Sequence, residues 1–307
     1  YYINGVCGSF ISLVGLAGNA TAAIVLLFPA MRNSTSLLLV VMAAFDTVFL
    51  ALHFLLQSLP LVFMTNNVCE DYFPVREALF KYCYVLVHVA HTGTIYMTVV
   101  VTLERAMVVL LPLKAKNICT RSRAGIASAV VTVCSIIYNV PRYLEYTNEA
   151  DSSLALTDHS VTRSEFGRSF FFQVVYLIYF NSAVHFIVPV GLIIVLNLKM
   201  IQRVCTRGRR VVRLGGSCGE SQTRLTAMII TLTGLFCLCQ LLAALELILC
   251  PDEPVGQSEV DPTHCEMTGT VISAVGETCT LLNSATNFVV YSIFGNKFRR
   301  CLRQLCC

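Results

Sequence analysis

Seven long apolar stretches, separated by short polar segments, dominate the chain. Each is free or nearly free of charge, and we number them span one (Ile3 to Met31), span two (Asn33 to Cys69), span three (Tyr82 to Leu103), span four (Ala124 to Pro141), span five (Ser169 to Leu198), span six (Leu225 to Pro251) and span seven (Met267 to Asn296). A helix of roughly 20 apolar residues crosses the hydrocarbon layer and pairs its backbone groups internally. The pattern therefore predicts an all-α membrane protein, a seven-transmembrane helix bundle.

The composition agrees, because 56% of the 307 residues are hydrophobic and only 13% are charged. Soluble globular proteins carry about 25% charged residues. We expect one transmembrane domain over residues 1–293 and a short, amphipathic, membrane-parallel helix with a cysteine-rich end over residues 294–307. The chain starts at Tyr1 and enters an apolar run almost at once, so we expect a fragment trimmed at its first helix rather than a secretory signal.

The charges separate the two ends of the bundle. Of the 22 basic residues, sixteen lie in alternate loops and at the C-terminal end, whereas the opposite loops hold five, together with thirteen acidic residues. Basic loops favour the cytoplasmic side. The chain is thus predicted to be multi-pass, with its N-terminus outside and its C-terminus inside. An acidic outer mouth would attract cationic ligands; the alternative is that these acids only solvate the loops.

Fifteen cysteines are too scattered for a zinc site. Cys250 and Cys265 bracket the loop between spans six and seven, which suggests a disulfide. Cys301, Cys306 and Cys307 follow a basic amphipathic segment, a setting typical of palmitoylated cysteines.

A first group of polar residues lies near the middle of the predicted membrane. Its members come from spans one, two, three and seven: Asn19, Asp46, Thr94, Asn283, Ser284 and Asn287. A carboxylate at this depth must be neutralised or paired, and the surrounding hydroxyl and amide oxygens suit a small hard cation such as sodium. The alternative is a protonated Asp46 in a structural hydrogen-bond network.

A second group is Glu104 and Arg105 at the cytoplasmic end of span three. These adjacent opposite charges could form a releasable lock, with Arg105 freed when neighbouring helices move. The alternative is an arginine that only extends to the membrane surface.

A third group occupies the outer half of the bundle. It consists of His53, Gln57, His88, His91, Asn181, His185, Glu246 and Glu277. Ligand sites combine apolar walls with a few convergent polar groups. Glu246 and Glu277 would suit an arginine side chain or an amine. Alternatively, His88 and His91 are interhelical hydrogen-bonding residues.

Several short motifs resemble the landmarks of rhodopsin-like G-protein-coupled receptors. They are Gly18-Asn19, Ala43-Ala44-Phe45-Asp46, Glu104-Arg105-Ala106, Pro189 in span five and Asn287-Phe288-Val289-Val290-Tyr291. They fall in the right order on the right helices and cover nearly the whole chain. The resemblance implies an activation switch made of six residues: Glu104, Arg105, Phe236, Gln240, Asn287 and Tyr291.

Within that superfamily the chain is most similar to invertebrate FMRFamide-type neuropeptide receptors. The similar segments are 100–105, 111–116 with Cys119-Thr120, 138–145, 239–241 and 283–288. Gln240 after Cys239 and Phe288 after Asn287 are unusual choices in the superfamily. The resemblance implies a plasma-membrane receptor for a short amidated peptide ending in arginine and phenylalanine. A heterotrimeric G protein, arrestin and membrane lipid would be its partners, with no nucleic acid.

Some features depart from the superfamily pattern. The chain has no tryptophan, and Gln240 stands where span six usually carries one. Leu242 replaces the usual span-six proline, and Ala106 follows the arginine where an aromatic residue is common. The loop between spans four and five has no cysteine, so the common disulfide from span three to this loop cannot form.

A transporter or channel is the alternative class, because seven spans alone do not fix a function. It would predict internal repeats or broken helices in matching halves, which the sequence lacks. A retinal-based light sensor would need a lysine in span seven, and none precedes Lys297. No hydrolytic constellation shares one helix face, so the chain is not expected to be an enzyme. The basic run Arg203 to Arg213 is predicted to be a loop that contacts a G protein or anionic lipid.

Overall fold

The computed structural model describes residues 2–60, 62, 72–148, 161–213, 230–231, 233–241 and 262–306. Within them, five helices are long and apolar enough to cross a membrane: Asn4–Leu27, Ser34–Ser58, Tyr82–Leu110, Arg121–Tyr143 and Phe171–Thr206. They correspond to spans one to five. The described residues of span six, within 230–241, are helical, and span seven comprises the helices Pro262–Ala285 and Asn287–Phe294.

Polar caps define where two of these helices begin. The α-helix of span two is Ser34–His53, and the Asn33 side chain accepts a hydrogen bond from the Ser36 amide at 2.8 Å. The helix of span four is Arg121–Tyr143, and the Thr120 hydroxyl accepts one from the Arg123 amide at 3.4 Å. Such caps satisfy backbone donors that the first helical turn leaves unpaired.

The outer halves of spans one, two and five contain π-helical turns. They are Tyr2–Cys7 before the α-helix Gly8–Leu27, Phe54–Ser58 in span two, and Phe171–Phe180 and Ala183–Ile187 before the α-helix Val188–Arg213 of span five. In two cases a proline, Pro60 or Pro189, follows two residues later. Proline has no amide hydrogen to donate, so the α-helical ladder is interrupted where the wider turn occurs.

Span three, whose helix is Tyr72–Leu110, lies at the centre of the bundle and packs against spans two, four and five. Span one packs against spans two and seven. Glycines allow the closest approaches: a Cβ atom on Gly15 would lie 2.7 Å from Leu50 Cδ1 and 2.8 Å from Ala285 Cβ. A Cβ atom on Gly93 would lie 2.5 Å from Cδ1 and Cε1 of the Phe45 ring. Small residues at helix interfaces are how membrane helices pack without a hydrophobic driving force.

The segments outside the spans are short. A helix, Pro112–Ile118, follows span three, and β1 (Tyr146–Asn148) pairs antiparallel with β2 (Val161–Arg163) between spans four and five. A helical turn, Glu165–Arg168, leads from β2 into span five. This small hairpin is the one addition, among the described residues, to the predicted all-helical fold.

The predicted C-terminal helix is present as Asn296–Cys306. Phe298 and Cys301 on its inner face are 2% and 4% exposed and join the core beside Tyr291. The prediction that Cys301 carries a lipid is therefore not supported, because its thiol points into protein rather than towards the membrane. Cys306 has no described side chain and Cys307 lies outside the described residues.

We expect Gly15→Ala to destabilise the bundle by about 1 to 3 kcal/mol, the usual cost of overpacking. The added methyl group would meet spans two and seven at once. Gly191→Ala is the matched control, because nothing lies within 4 Å of its Cβ position. The midpoint of thermal unfolding of the detergent-purified protein checks this, and equal midpoints for the two variants would contradict the packing of these three helices.

Candidate functional site

Asp46 is fully buried between three helices and is hydrogen-bonded on both carboxyl oxygens. Thr94 Oγ1 donates to Asp46 Oδ1 at 2.9 Å, and Asn287 Nδ2 donates to Asp46 Oδ2 at 2.7 Å. The Ser284 side chain lies close to the same carboxyl group. Asn19 is tied to the same cluster, because its Nδ2 donates to the Ser284 carbonyl at 3.0 Å. The structure thus brings together residues that are up to 268 positions apart in the chain.

A cavity of about 20 Å³ adjoins this cluster, large enough for about one water molecule. Its lining residues come from spans two, three, six and seven: Met42, Thr94, Thr98, Val101, Phe236, Asn283 and Asn287. Asn283 lines this cavity together with Thr94 and Asn287, the two residues that bond Asp46. The oxygens of Asp46, Thr94, Ser284 and the two asparagines are the ligands that a hard cation prefers. The arrangement therefore fits a small cation.

Phe236 connects this cavity to the middle of the bundle. It is 1% exposed and packs with Ile95 and Val99 of span three and with Val190 and Ile193 of span five. A shift of span six at Phe236 would therefore change both the cavity wall and the contact between spans three and five.

At the cytoplasmic end of span three, Glu104 and Arg105 bind span two rather than each other. The Ser34 hydroxyl donates to Glu104, and Arg105 donates to the Thr35 hydroxyl. No ion pair joins Glu104 and Arg105 in the part of the chain that the structure describes. In place of contacts between these two charges, the structure shows two hydroxyl contacts that join spans two and three.

The two remaining predicted switch residues are buried. Tyr291 is 2% exposed, and its hydroxyl has no hydrogen-bond partner among the described residues. Gln240 is 7% exposed. The Tyr291 hydroxyl can therefore form a new hydrogen bond if the surrounding helices move.

In the outer half, the His185 ring contacts both span three and a neighbouring residue of its own helix, span five. Its Nε2 is 2.9 Å from Thr92 Oγ1, and its Nδ1 is 2.5 Å from Asn181 Oδ1. Thr92 also accepts a hydrogen bond from Asn139 Nδ2 of span four at 3.0 Å. His185 and Asn181 therefore belong to a network that joins spans three, four and five.

His91 differs from His185 in its partners. Its ring stacks on His185 and on Phe49, with centroid distances of 5.5 Å in both pairs. Its Nε2 is buried and has no hydrogen-bond partner among the described residues, and the same holds for both ring nitrogens of His53. Buried polar atoms without partners are costly, so these histidines are the ones prepared to bind water or a ligand.

The other predicted ligand residues are distributed unevenly. Glu277 accepts a hydrogen bond from Asn4 Nδ2 at 2.5 Å, which places its carboxylate between spans one and seven. Gln57 is exposed on the outside of a π-helical turn, so the structure does not gather it with the buried histidines. Glu246 and Cys250 lie outside the described residues, as does the side chain of Cys265.

Sequence reasoning missed a buried cation of the outer half, Arg142. Arg142 was assigned to a loop, yet it is 5% exposed and donates to Tyr84 OH at 3.2 Å and to Asn181 Oδ1 at 3.3 Å. His88 Nε2 lies 3.4 Å from Arg142 Nη1, so this histidine contacts a cation rather than an open pocket. Among the described residues, no carboxylate lies within ion-pair range of Arg142.

A signal for Arg142 was present in span four. The buried residues of this helix follow a 3–4 spacing that ends at Arg142: Ala124, Ser128, Val131, Ser135, Asn139 and Arg142. Residues at this spacing share one helix face. The stripe is small and polar, which assigns Arg142 to the buried face rather than to the loop.

Comparison with known proteins agrees with this arrangement. The family model "7 transmembrane receptor (rhodopsin family)" matches residues 18–291. The chain is 30% identical to an FMRFamide receptor of Drosophila melanogaster over 98% of this chain and 53% of that protein. It is 25% identical to an FMRFamide peptide receptor of Caenorhabditis elegans (95% and 66%) and 24% identical to an allatostatin-A receptor of Bombyx mori (96% and 77%).

The chain spans about half the length of the Drosophila protein and about two thirds of the nematode one. All three relatives are receptors, which confirms that the chain is not an enzyme and removes the transporter alternative. The order of the spans, the Asp46 cluster and the match over nearly the whole chain agree with one another: the chain belongs to the rhodopsin family of seven-transmembrane, G-protein-coupled receptors.

Proposed function

We propose that this receptor binds an extracellular, amidated neuropeptide of the Arg-Phe type and activates a heterotrimeric G protein. Its N-terminus would face outwards and it would act at the plasma membrane, with arrestin and membrane lipid as further partners. The observation that carries the proposal is the polar cluster of the outer half, in which His53 and His91 lack partners among the described residues. The relatives named for FMRFamide support the class of ligand.

We infer that the ligand is cationic, because the outer half of the bundle contains carboxyl groups. Glu277 has an anionic side chain within the bundle, and Glu246 is its counterpart in span six. A peptide arginine forms two parallel hydrogen bonds with a carboxylate. The apolar walls and the stacked rings of Phe49 and His91 would take the phenylalanine.

Other untested features belong to the same proposal. We infer that a disulfide between Cys250 and Cys265 would close the loop between spans six and seven. Acylation of Cys306 or Cys307 would attach the C-terminal helix to the membrane. The basic face of that helix would then lie against anionic lipid.

The test is a screen of cells expressing the receptor against amidated Arg-Phe peptides, their free-acid forms and small amines. Calcium and cyclic-nucleotide signals report activation. We expect responses to amidated peptides and much weaker responses to the free acids. Responses to amines alone, or to no peptide in the panel, would overturn the proposed ligand class.

We expect Glu277→Gln or Glu246→Gln to weaken an Arg-containing agonist by about 1.5 to 3 kcal/mol, the range for hydrogen bonds to charged groups. Competition binding on intact cells measures it. Glu165→Gln is the control, because Glu165 is exposed and lies beyond the hairpin. If both variants kept the affinity of the parent, the assignment of the arginine site would be wrong.

The Asp46 site is proposed to bind sodium in the resting receptor. An ion that prefers the resting state must lower agonist affinity, so replacing sodium by a bulky organic cation should raise it in the parent. Asp46→Asn removes the carboxylate and should abolish this dependence. Radioligand competition with and without sodium provides the readout, and agonist affinity in the parent that ignores sodium would exclude the site.

Release of Arg105 is proposed to accompany activation. Thr35→Val removes the hydroxyl that holds Arg105, so basal G-protein activation should rise at matched surface expression. Thr132→Val is the control, because the Thr132 hydroxyl bonds only its own helix, at the Ser128 carbonyl. Equal basal signalling in Thr35→Val and the parent would show that this contact does not restrain the switch.

A further inference from the structure

The loop between spans four and five is attached to the bundle without a disulfide. Residues 144–168 contain no cysteine, so no disulfide bond can reach the loop from span three. Both ends of the loop are nevertheless ordered as β1 and β2, with Tyr146 opposite Arg163. Something other than a covalent bond therefore holds this hairpin.

Glu145, directly before β1, is the centre of the attachment. Its side chain is 1% exposed, and its Oε2 accepts a hydrogen bond from Tyr84 OH of span three at 2.9 Å. Its Oε1 lies 3.8 Å from Arg163 Nε of β2. One carboxylate thus connects the end of span four, the outer end of span three and the second strand.

Aromatic contacts close the same junction. The Tyr146 ring of β1 meets the rings of Phe80 and Tyr84 edge-on, at centroid distances of 5.5 and 5.2 Å. Edge-to-face pairs at such distances are favourable beyond the area that they bury. The Tyr146 hydroxyl also lies close to the side chains of Glu145 and Arg163.

The backbone beyond β2 lies directly on Glu145. The Ser164 amide donates to the Glu145 carbonyl at 2.9 Å, and a Cβ atom on Gly167 would lie 2.3 Å from that same oxygen. Only a glycine allows this approach. The start of β1, the residue after β2 and the turn at Gly167 are therefore packed around one residue.

Tyr84 links this junction to the ligand-side network. Its hydroxyl donates to Glu145 and accepts from Arg142 Nη1, and Arg142 Nη2 donates to Asn181. Removing the hydroxyl would leave both the Glu145 carboxylate and the Arg142 guanidinium without a shared partner. Breaking one member of a buried charged network is strongly unfavourable because the other charges stay buried.

We propose that Glu145 and Tyr84 are positioning residues: they form a non-covalent clamp that holds the β1–β2 hairpin on span three and keeps Arg142 and Asn181 in place. The clamp does the work that a disulfide would otherwise do. Its consequence for the ligand rests on the function proposed above, whereas the attachment of the hairpin does not.

The first experiment needs no ligand. Backbone hydrogen exchange at residues 146–148 and 161–163 is followed in the purified receptor, with and without dithiothreitol. We expect the parent to keep its protection under reduction. Glu145→Gln and Tyr84→Phe should exchange about tenfold faster or more, a factor that corresponds to about 1.4 kcal/mol.

The matched controls are Glu165→Gln and Tyr82→Phe, since both side chains are exposed. They should exchange like the parent. Loss of protection in the parent under dithiothreitol, or parent-like exchange in both clamp variants, would overturn the clamp.

The second experiment measures agonist dissociation from Tyr84→Phe, which keeps the ring and is the variant least prone to misfold. We expect faster dissociation with the maximal signal unchanged, because the site is loosened rather than removed. A hairpin that loosens while agonist dissociation stays at the parent rate would refute the positioning role. If no peptide activates the parent, the proposed ligand class fails, while the exchange experiment still decides the clamp.

Discussion

Hydrocarbon offers no hydrogen-bond partner, so a polar side chain inside the bundle is stabilised when it finds one on another helix or on its own backbone. Span three provides several of these hydrogen-bond partners. Tyr84 forms a hydrogen bond with the end of span four, and Thr92 forms hydrogen bonds with spans four and five. Thr94 donates a hydrogen bond to Asp46 of span two, and Arg105 donates one to the start of span two. The neighbours of span three are positioned by these polar contacts more specifically than apolar packing alone could position them.

The polar contacts along span three differ in strength according to their depth in the membrane. At mid-depth, Asp46 accepts side-chain hydrogen bonds from Thr94 and Asn287 and is fully buried. At the inner end, Arg105 has one hydroxyl partner and lies closer to water. Hydrogen bonds between membrane helices average only about 0.6 kcal/mol. A single hydroxyl contact can therefore bias the position of a helix without fixing it, whereas the shared Asp46 cluster holds spans two, three and seven together.

The sequence predicted the seven-helix fold and the Asp46 cluster because both depend on simple rules: apolar length for the spans, and intramembrane depth for polar residues. It was less successful in predicting which side chains the folded helices bury and which they expose. Arg142 was counted with the loops since it follows Pro141, yet the helix continues to Tyr143 and brings its side chain inside. Cys301 looked accessible from its basic neighbours, but the helix turns it towards Tyr291. Gln57 looked like a pocket residue, and the π-helical turn leaves it exposed.

The burial of Arg142 also matters for the charges that the outer half of the bundle presents to a ligand. The loops predicted to lie outside are rich in acidic residues, and this favours cationic ligands at long range. The buried interior of the same half holds a guanidinium bonded to neutral partners, Tyr84, Asn181 and His88. The outer half therefore offers a ligand both acidic groups and one buried guanidinium. Under the function proposed above, a peptide with a cationic side chain and backbone carbonyl groups would use both, because its cation would bind Glu277 while a carbonyl accepted a hydrogen bond from Arg142. A simple amine would use only Glu277.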